Sequence, residues 1–145
     1  MDKTLFNHIC VGSFLAICTA TDIKTRRVFL AVLAVFGITG IAGLVLYGGS
    51  SLPGILGGIG IGAVMIGISL ATGGAVGLGD GLVLAVAGLY LGFARNVELL
   101  AGGLFLAAAY SIFLLAVRRA GRKKEVPFIP FLFLAFLGTM FFQGR

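Results

Sequence analysis

The sequence predicts an all-α, polytopic membrane protein: one domain built as a bundle of six transmembrane helices. Of its 145 residues, 59% are hydrophobic and only 11% are charged, whereas soluble domains average about 45–50% apolar and 25% charged residues. Its 24 glycines are typical of helices that pack closely in lipid, where small side chains let backbones approach. Together these observations exclude a soluble globular protein.

Charges and turn residues divide the chain into six apolar stretches. A helix that crosses a bilayer needs about 20 apolar residues, and the six stretches match or approach that length. They leave too few residues for a separate soluble domain, so we expect residues 1–145 to form a single unit. The stretches cover residues 5–21, 28–46, 52–71, 81–94, 97–117 and 126–142.

The first and third stretches each allow two interpretations. The first lies near the start of the chain, but its basic residues follow the apolar run and no small-residue cleavage pattern accompanies it, so we expect a retained span and not a signal peptide. The third carries Gly54, Gly58 and Gly62 at intervals of four, which clears one helix face of side chains. We expect that face to pack within the chain, and homodimerisation through it stays open as the alternative.

The fourth stretch is short and follows a run of glycines at positions 73, 74, 77, 79 and 81. We therefore expect irregular backbone there and a helix that starts late. Irregular backbone at membrane depth is tolerated only where protein or a water-filled cavity satisfies its polar groups. The glycine run thus indicates either a functional site or a plain flexible loop.

Eight of the 11 lysines and arginines fall in two connections, at positions 24–27 and 118–124. The positive-inside rule places these loops, with the loop at 72–80, in the cytoplasm and both termini outside a cell (inner) membrane. Basic clusters at the ends of spans are explained by this topology and by attraction to anionic headgroups. The expected partner is therefore the lipid bilayer, and no nucleic acid is expected.

The chain lacks the pattern of a metal site. It has a single histidine, His8, and its two cysteines, Cys10 and Cys18, are eight residues apart within one predicted helix. This set does not provide the three or four ligands of a zinc centre. We expect no metal and no other cofactor.

The five acidic residues are the best guide to chemistry in so apolar a chain. Asp2 lies in the tail, Glu98 suits the dipole at the start of the fifth span, and Glu125 lies within a basic run. Asp22 and Asp80 remain, and both are predicted at the cytoplasmic ends of apolar helices, where they could meet.

Ionisable groups at the edge of the hydrocarbon usually face a bundle interior or a cavity. Two carboxylates brought close together cannot both ionise freely, so the pair shares a proton and supplies both a base and an acid. Hydrolysis of a peptide bond needs that combination. The plainer alternative is that Asp80 caps its helix and Asp22 balances the basic residues that follow it.

Three segments resemble motifs of the type IV prepilin peptidase family of GxGD membrane aspartyl proteases. The run Gly77-Leu78-Gly79-Asp80, with the small-apolar helix that follows it, looks like the family's GxGD segment. Residues 22–28, an aspartate followed by basic residues and a valine, look like its other aspartate box. Residues 126–132 (VPFIPFL) are similar to its late Pro-Phe-Gly-Pro-Phe-Leu segment. The segments occur in the family's order, and the resemblance covers nearly the whole chain.

The resemblance implies a membrane aspartyl endopeptidase that removes the basic leader of type IV prepilins or pseudopilins at the cytoplasmic face. Asp22 and Asp80 match the family's two catalytic aspartates. Gly77 and Gly79 would let the loop backbone approach Asp80 and the substrate, as residues without a Cβ readily can. The remaining expected contributors to the substrate and loop region are the basic residues of the first box: Lys24, Arg26 and Arg27.

The chain also departs from the family pattern. Leu82 stands where members often have a lysine, Phe29-Leu30 where they often have Pro-Asn, and Ile129 where glycine separates the two prolines. The cysteine-containing N-terminal region associated with methyltransferase activity in longer members has no counterpart, so the resemblance is to a compact form and we do not expect methylation.

Two other functions stay open. The chain could be a catalytically silent membrane subunit of a pilus or secretion assembly that binds pilin helices. It could also be a small ion-coupled transporter, although both acids are predicted at one membrane face and transporter sites lie near the midplane.

Overall fold

The computed structural model describes residues 2–25, 28–48, 51–74, 77–118 and 126–143 of the chain. Within these ranges all regular secondary structure is helical. The helices are α1 (Lys3–Thr25), α2 (Leu30–Tyr47), α3 (Leu52–Ala71), α4 (Leu78–Arg118) and α5 (Ile129–Gln143).

The prediction of six separate spans is correct only in part. The described ranges hold five helices, of which α1 to α4 are long and apolar enough to cross a membrane. The predicted fourth and fifth spans are joined in α4, whose 41 residues are interrupted at Gly92 (φ 74°, ψ −175°). We call residues 78–91 the first arm of α4 and residues 93–118 its second arm.

The chain reverses direction at Gly92. Asn96 Nδ2 donates hydrogen bonds to the carbonyl oxygens of Leu84 (2.9 Å) and Gly58 (2.8 Å). In a straight helix, residues 84 and 96 would be about 18 Å apart along the axis, so this contact requires the second arm to fold back beside the first. The sequence predicted the break at Arg95 and Asn96 because they are polar. The break lies at a glycine instead, since only glycine adopts a positive φ readily.

The helices run alternately up and down. Phe6 of α1 lies against Gly43 of α2, and the Phe14 and Phe36 rings pack with their centroids 5.1 Å apart. At the far end of this pair, Val28 contacts Gly79 at the start of α4. We call the end of the bundle that holds the C-terminus of α1 and the starts of α2, α4 and α5 the aspartate end.

The core lies where α1, both arms of α4, and α5 meet. Its fully buried side chains, all 2% exposed or less, include Val11, Phe14, Leu15, Val83, Leu84, Leu99, Ile129 and Leu132. The outer surface is also apolar: Val45 is 79% exposed and Phe142 89% exposed. Large apolar side chains spread over the outside of a bundle suit contact with lipid tails and not with water.

Helix α3 packs on the first arm of α4 through glycines. A Cβ on Gly58 would overlap the carbonyl of Gly88, and one on Gly62 would overlap the backbone of Gly81 and Ala85. Among the described residues, α3 contacts no helix other than α4. The prediction that this glycine face packs within the chain is confirmed, and the same face is not left open for a homodimer.

Three helix ends differ from the predicted boundaries by three or four residues. Helix α1 continues to Thr25, so Asp22 lies within a helix and not after one. Helix α4 starts at Leu78 despite the glycines before it, and the left-handed backbone described in that run is at Gly73 and Gly74. Helix α5 starts at Ile129 and not at position 126, consistent with Pro130 in its first turn, where proline needs no hydrogen-bond partner.

The glycine contact gives a test of this packing. Gly58→Ala places a methyl group against the Gly88 carbonyl, so we expect a loss of about 1–3 kcal/mol in the free energy of unfolding. The matched control is Gly60→Ala, because, apart from the adjacent backbone of its own helix, no atom of the described residues lies within 4 Å of its Cβ position. The measurement is denaturant unfolding in detergent, and equal stability of the two variants would contradict this packing.

Candidate active site

Asp22 is held on the inward face of α1. It lies four residues after Cys18, and the helix buries Val11, Phe14, Leu15 and Cys18 on that face. The 3.6-residue period therefore turns Asp22 into the bundle, where it is only 9% exposed. A carboxylate so well removed from water is costly to keep in place, and in membrane proteins such residues commonly serve a function.

Asp80 lies in the first turn of α4. Its backbone N–H donates to the carbonyl of Gly77 (3.1 Å), and its side chain is partly buried. A negative charge in the first turn is favoured by the helix dipole and by the unpaired N–H groups there. This position fits the capping alternative as well as a catalytic one.

The structure brings the two aspartates to the same end of the bundle. Their carboxylates are close enough for direct electrostatic repulsion, although they lie 58 positions apart in the sequence. Asp22 is buried, whereas Lys24, two residues later, is exposed. Two mutually interacting carboxylates of unequal burial are the arrangement that acid–base chemistry requires.

The two motif glycines lie where a side chain would interfere. A Cβ on Gly77 would lie 2.8 Å from Asp80 Oδ2, and a Cβ on Gly79 would lie 2.8 Å from Cγ2 of Val28. Both distances are shorter than a normal van der Waals contact. The absence of side chains therefore lets the loop approach the Asp80 carboxyl group and lets α4 approach the start of α2.

The basic residues expected beside the site are only partly described. Lys24 is exposed in the last turn of α1, where a positive charge suits the helix dipole. Arg26, Arg27 and the basic run at 119–125 lie outside the described residues. Leu82, which occupies the position where the resembled family often has lysine, is 37% exposed.

The sequence interpretation missed two polar residues that join the helices of the bundle. Asn96 is 0% exposed and bridges Gly58 to Leu84. Tyr90 Oη donates to the Phe36 carbonyl (2.5 Å) and lies 2.8 Å from Thr39 Oγ1, which ties α2 to the first arm of α4. The sequence feature that indicates such a role is a single polar side chain within an apolar region, because polar side chains form hydrogen bonds between helices in membranes.

A second polar cluster lies at the opposite end of the bundle. Arg95 Nη1 and His8 Nε2 are 3.1 Å apart, and both line a small cavity with Glu98 and Thr139. Among the described residues, no group of three or more His, Cys, Asp or Glu side chains is arranged to hold a metal ion. This cluster is separated from the aspartates by most of the length of α1.

Comparisons with protein-family models, with curated proteins and with solved structures returned no match for this chain. The candidate site is therefore defined by the residues and geometry described above.

Chemical cross-linking tests the approach of the two aspartates. In a background with Cys10→Ala and Cys18→Ala, the pair Asp22→Cys and Asp80→Cys is expected to react with a short bifunctional thiol reagent, because both positions lie at the aspartate end. The measurement is the mass of the cross-linked peptides after digestion.

The control pairs Asp22→Cys with Thr139→Cys in the same background. Thr139 lies at the level of His8, which is 14 residues, or about 21 Å, from Asp22 along α1. Cross-linking of this control pair as readily as the aspartate pair would contradict the described arrangement.

Proposed function

We propose that the chain is a membrane aspartyl endopeptidase that cleaves the basic leader of type IV prepilins or pseudopilins, with Asp22 and Asp80 as its catalytic residues. The observation that carries the proposal is that these two carboxylates lie at one end of the bundle and interact electrostatically, one buried and one partly buried. The three sequence motifs support the same reaction, since both aspartates occupy matching positions.

The reaction needs no cofactor. One aspartate, as carboxylate, takes a proton from a water molecule while the water oxygen attacks the carbonyl carbon of the scissile bond. The other, as carboxylic acid, protonates the carbonyl oxygen. In the collapse of the tetrahedral intermediate, the hydroxyl proton returns to a carboxylate, the carbon–nitrogen bond breaks, and the leaving nitrogen takes a proton from the carboxylic acid. The water is thereby divided between the new carboxyl group and the new amine.

The proximity of the two carboxylates supports this division of roles. Like charges held close together cannot both ionise freely, so the pair retains one proton that one member can donate while the other accepts one. General acid–base catalysis of this type accelerates reactions by about 10² to 10⁴.

In this proposal, both arms of α4 and also α5 cross the bilayer, so the chain crosses six times. The aspartate end then lies at the cytoplasmic face of the inner membrane, and both termini lie outside. The exposed Lys24 at the aspartate end supports this orientation, since positive charges favour the cytoplasmic side.

Substitution of the two aspartates tests the proposed activity. With a prepilin-type substrate co-expressed in cells, Asp22→Asn and Asp80→Asn are each expected to reduce leader removal by at least about a hundredfold, because asparagine keeps the shape but neither accepts nor donates the proton. The measurement is the electrophoretic mobility of the substrate.

The matched control is Glu98→Gln, which neutralises an exposed acid at the opposite end of the bundle. It should process the substrate at the wild-type rate. Equal processing by the wild type and by both aspartate variants would overturn the proposal and favour a catalytically silent subunit that binds pilin helices.

Thiol labelling tests the proposed orientation. In the cysteine-free background, an impermeant reagent added to intact cells is expected to label Ser51→Cys, at the end opposite the aspartates, and to leave Lys24→Cys unlabelled until the membrane is permeabilised. Both positions are exposed. Labelling of Lys24→Cys alone in intact cells would reverse the orientation.

A further inference from the structure

Thr19 of α1 has a hydroxyl group that the fold leaves without a hydrogen-bond partner. Its Oγ1 is buried and meets no donor or acceptor among the described residues. Several other hydroxyls in these helices bond back to their own helix, as Thr21 does to the Cys18 carbonyl (2.9 Å) and Thr139 to the Phe136 carbonyl (2.8 Å). Thr19 is an exception to this common arrangement.

The unpaired state of the Thr19 hydroxyl costs free energy. A buried hydroxyl without a partner loses its bonds to water and gains none in exchange. Back-bonding to a carbonyl one turn earlier is open to any threonine in a helix, so the unpaired state is not imposed by the backbone. A hydroxyl kept in this state is suited to a small polar molecule that binds during function.

The position of Thr19 identifies where that molecule would lie. Thr19 precedes Asp22 by three residues, so the two side chains are neighbours on the surface of α1, with Cβ atoms about 5–6 Å apart. Gly12, two helical turns before Thr19, packs against Phe136 of α5. Because α1 and α5 are antiparallel, two turns towards the aspartate end lead from Phe136 to Ile129, where α5 begins.

Thr19 therefore lies on the face of α1 that is directed towards the first turn of α5, three residues before Asp22. That first turn contributes no polar side chain at this level, since Ile129 and Leu132 are apolar and fully buried. Among the described residues of α1 and of this turn of α5, the Thr19 hydroxyl is the polar side-chain group beside Asp22 on this side.

We propose that Thr19 binds the water molecule that attacks the substrate, an inference that rests on the proposed peptidase activity. Thr19 Oγ1 accepts one hydrogen of this water, and the Asp22 carboxylate accepts the other. A lone pair of the water oxygen is then directed away from α1 and towards the carbonyl carbon. Asp22 takes the proton as the new carbon–oxygen bond forms, and Thr19 remains unchanged.

Three variants test this role by leader cleavage with purified protein. Thr19→Val keeps the shape and removes the hydroxyl, so kcat is expected to fall about ten- to a hundredfold, as for a misplaced reactant, with KM unchanged. Its melting temperature should not fall, because the lost hydroxyl has no partner in the fold. Thr19→Ser restores the hydroxyl and should recover most of the wild-type kcat.

The matched control is Thr21→Val, which removes a hydroxyl bonded to its own helix and should keep the wild-type kcat. Wild-type kcat in Thr19→Val, or a kcat in Thr19→Ser as low as in Thr19→Val, would overturn the role of the hydroxyl. A lowered melting temperature in Thr19→Val would show a structural partner and overturn it as well.

Asp22→Asn, measured in parallel, separates the two proposals. If Asp22→Asn is inactive while Thr19→Val is as fast as the wild type, only the inference about Thr19 fails. If Asp22→Asn cleaves as fast as the wild type, the proposed function fails and the role of Thr19 fails with it.

Discussion

The close contact between α3 and the first arm of α4 sets the geometry of the rest of the bundle. Two glycine faces, centred on Gly58 and Gly88, bring the backbones together without side chains between them. Asn96 then reaches from the second arm to a carbonyl on each of these helices. In a medium without water, no solvent molecule competes for these hydrogen bonds. The Asn96 amide therefore fixes how three helical segments meet, and the reversal at Gly92 becomes part of the packed core.

This constraint positions the site at the far end of the same arm. The first arm of α4 carries Asp80 in its first turn, and Tyr90, near the reversal, joins that arm to α2 through the Phe36 carbonyl. Helix α1 packs against α2, α4 and α5 and turns Asp22 inward. The aspartates therefore come from helices that are braced separately, which keeps two mutually repelling carboxylates near each other. A peptidase needs such bracing, because its acid and base must remain close while their protonation states change.

Much of the fold follows from the sequence, and the differences have physical causes. Apolar length located α1, α2 and α3 well, and the intervals of four between glycines identified the face of α3 that packs. The sequence places the turn at Arg95 and Asn96, because polar residues in an apolar chain indicate a loop unless a partner buries them. One of the two partners of Asn96 lies 38 positions away, at Gly58. The pairing of Asp22 with Asp80 could be proposed by eliminating the other acids. The unpaired hydroxyl of Thr19 could not be predicted, since the sequence of a helix does not show where a threonine hydroxyl points.

We propose that Asp22 and Asp80 act as one catalytic unit within this chain alone. The most direct test is a double-mutant cycle on kcat/KM, measured with purified protein in lipid vesicles and a prepilin-type substrate whose products are identified by mass spectrometry. If the two carboxylates share one reaction, the double variant Asp22→Asn with Asp80→Asn should lose no more activity than the worse single variant. If the losses multiply, so that the double variant is far less active than either single variant, the two residues act independently and do not form one catalytic unit.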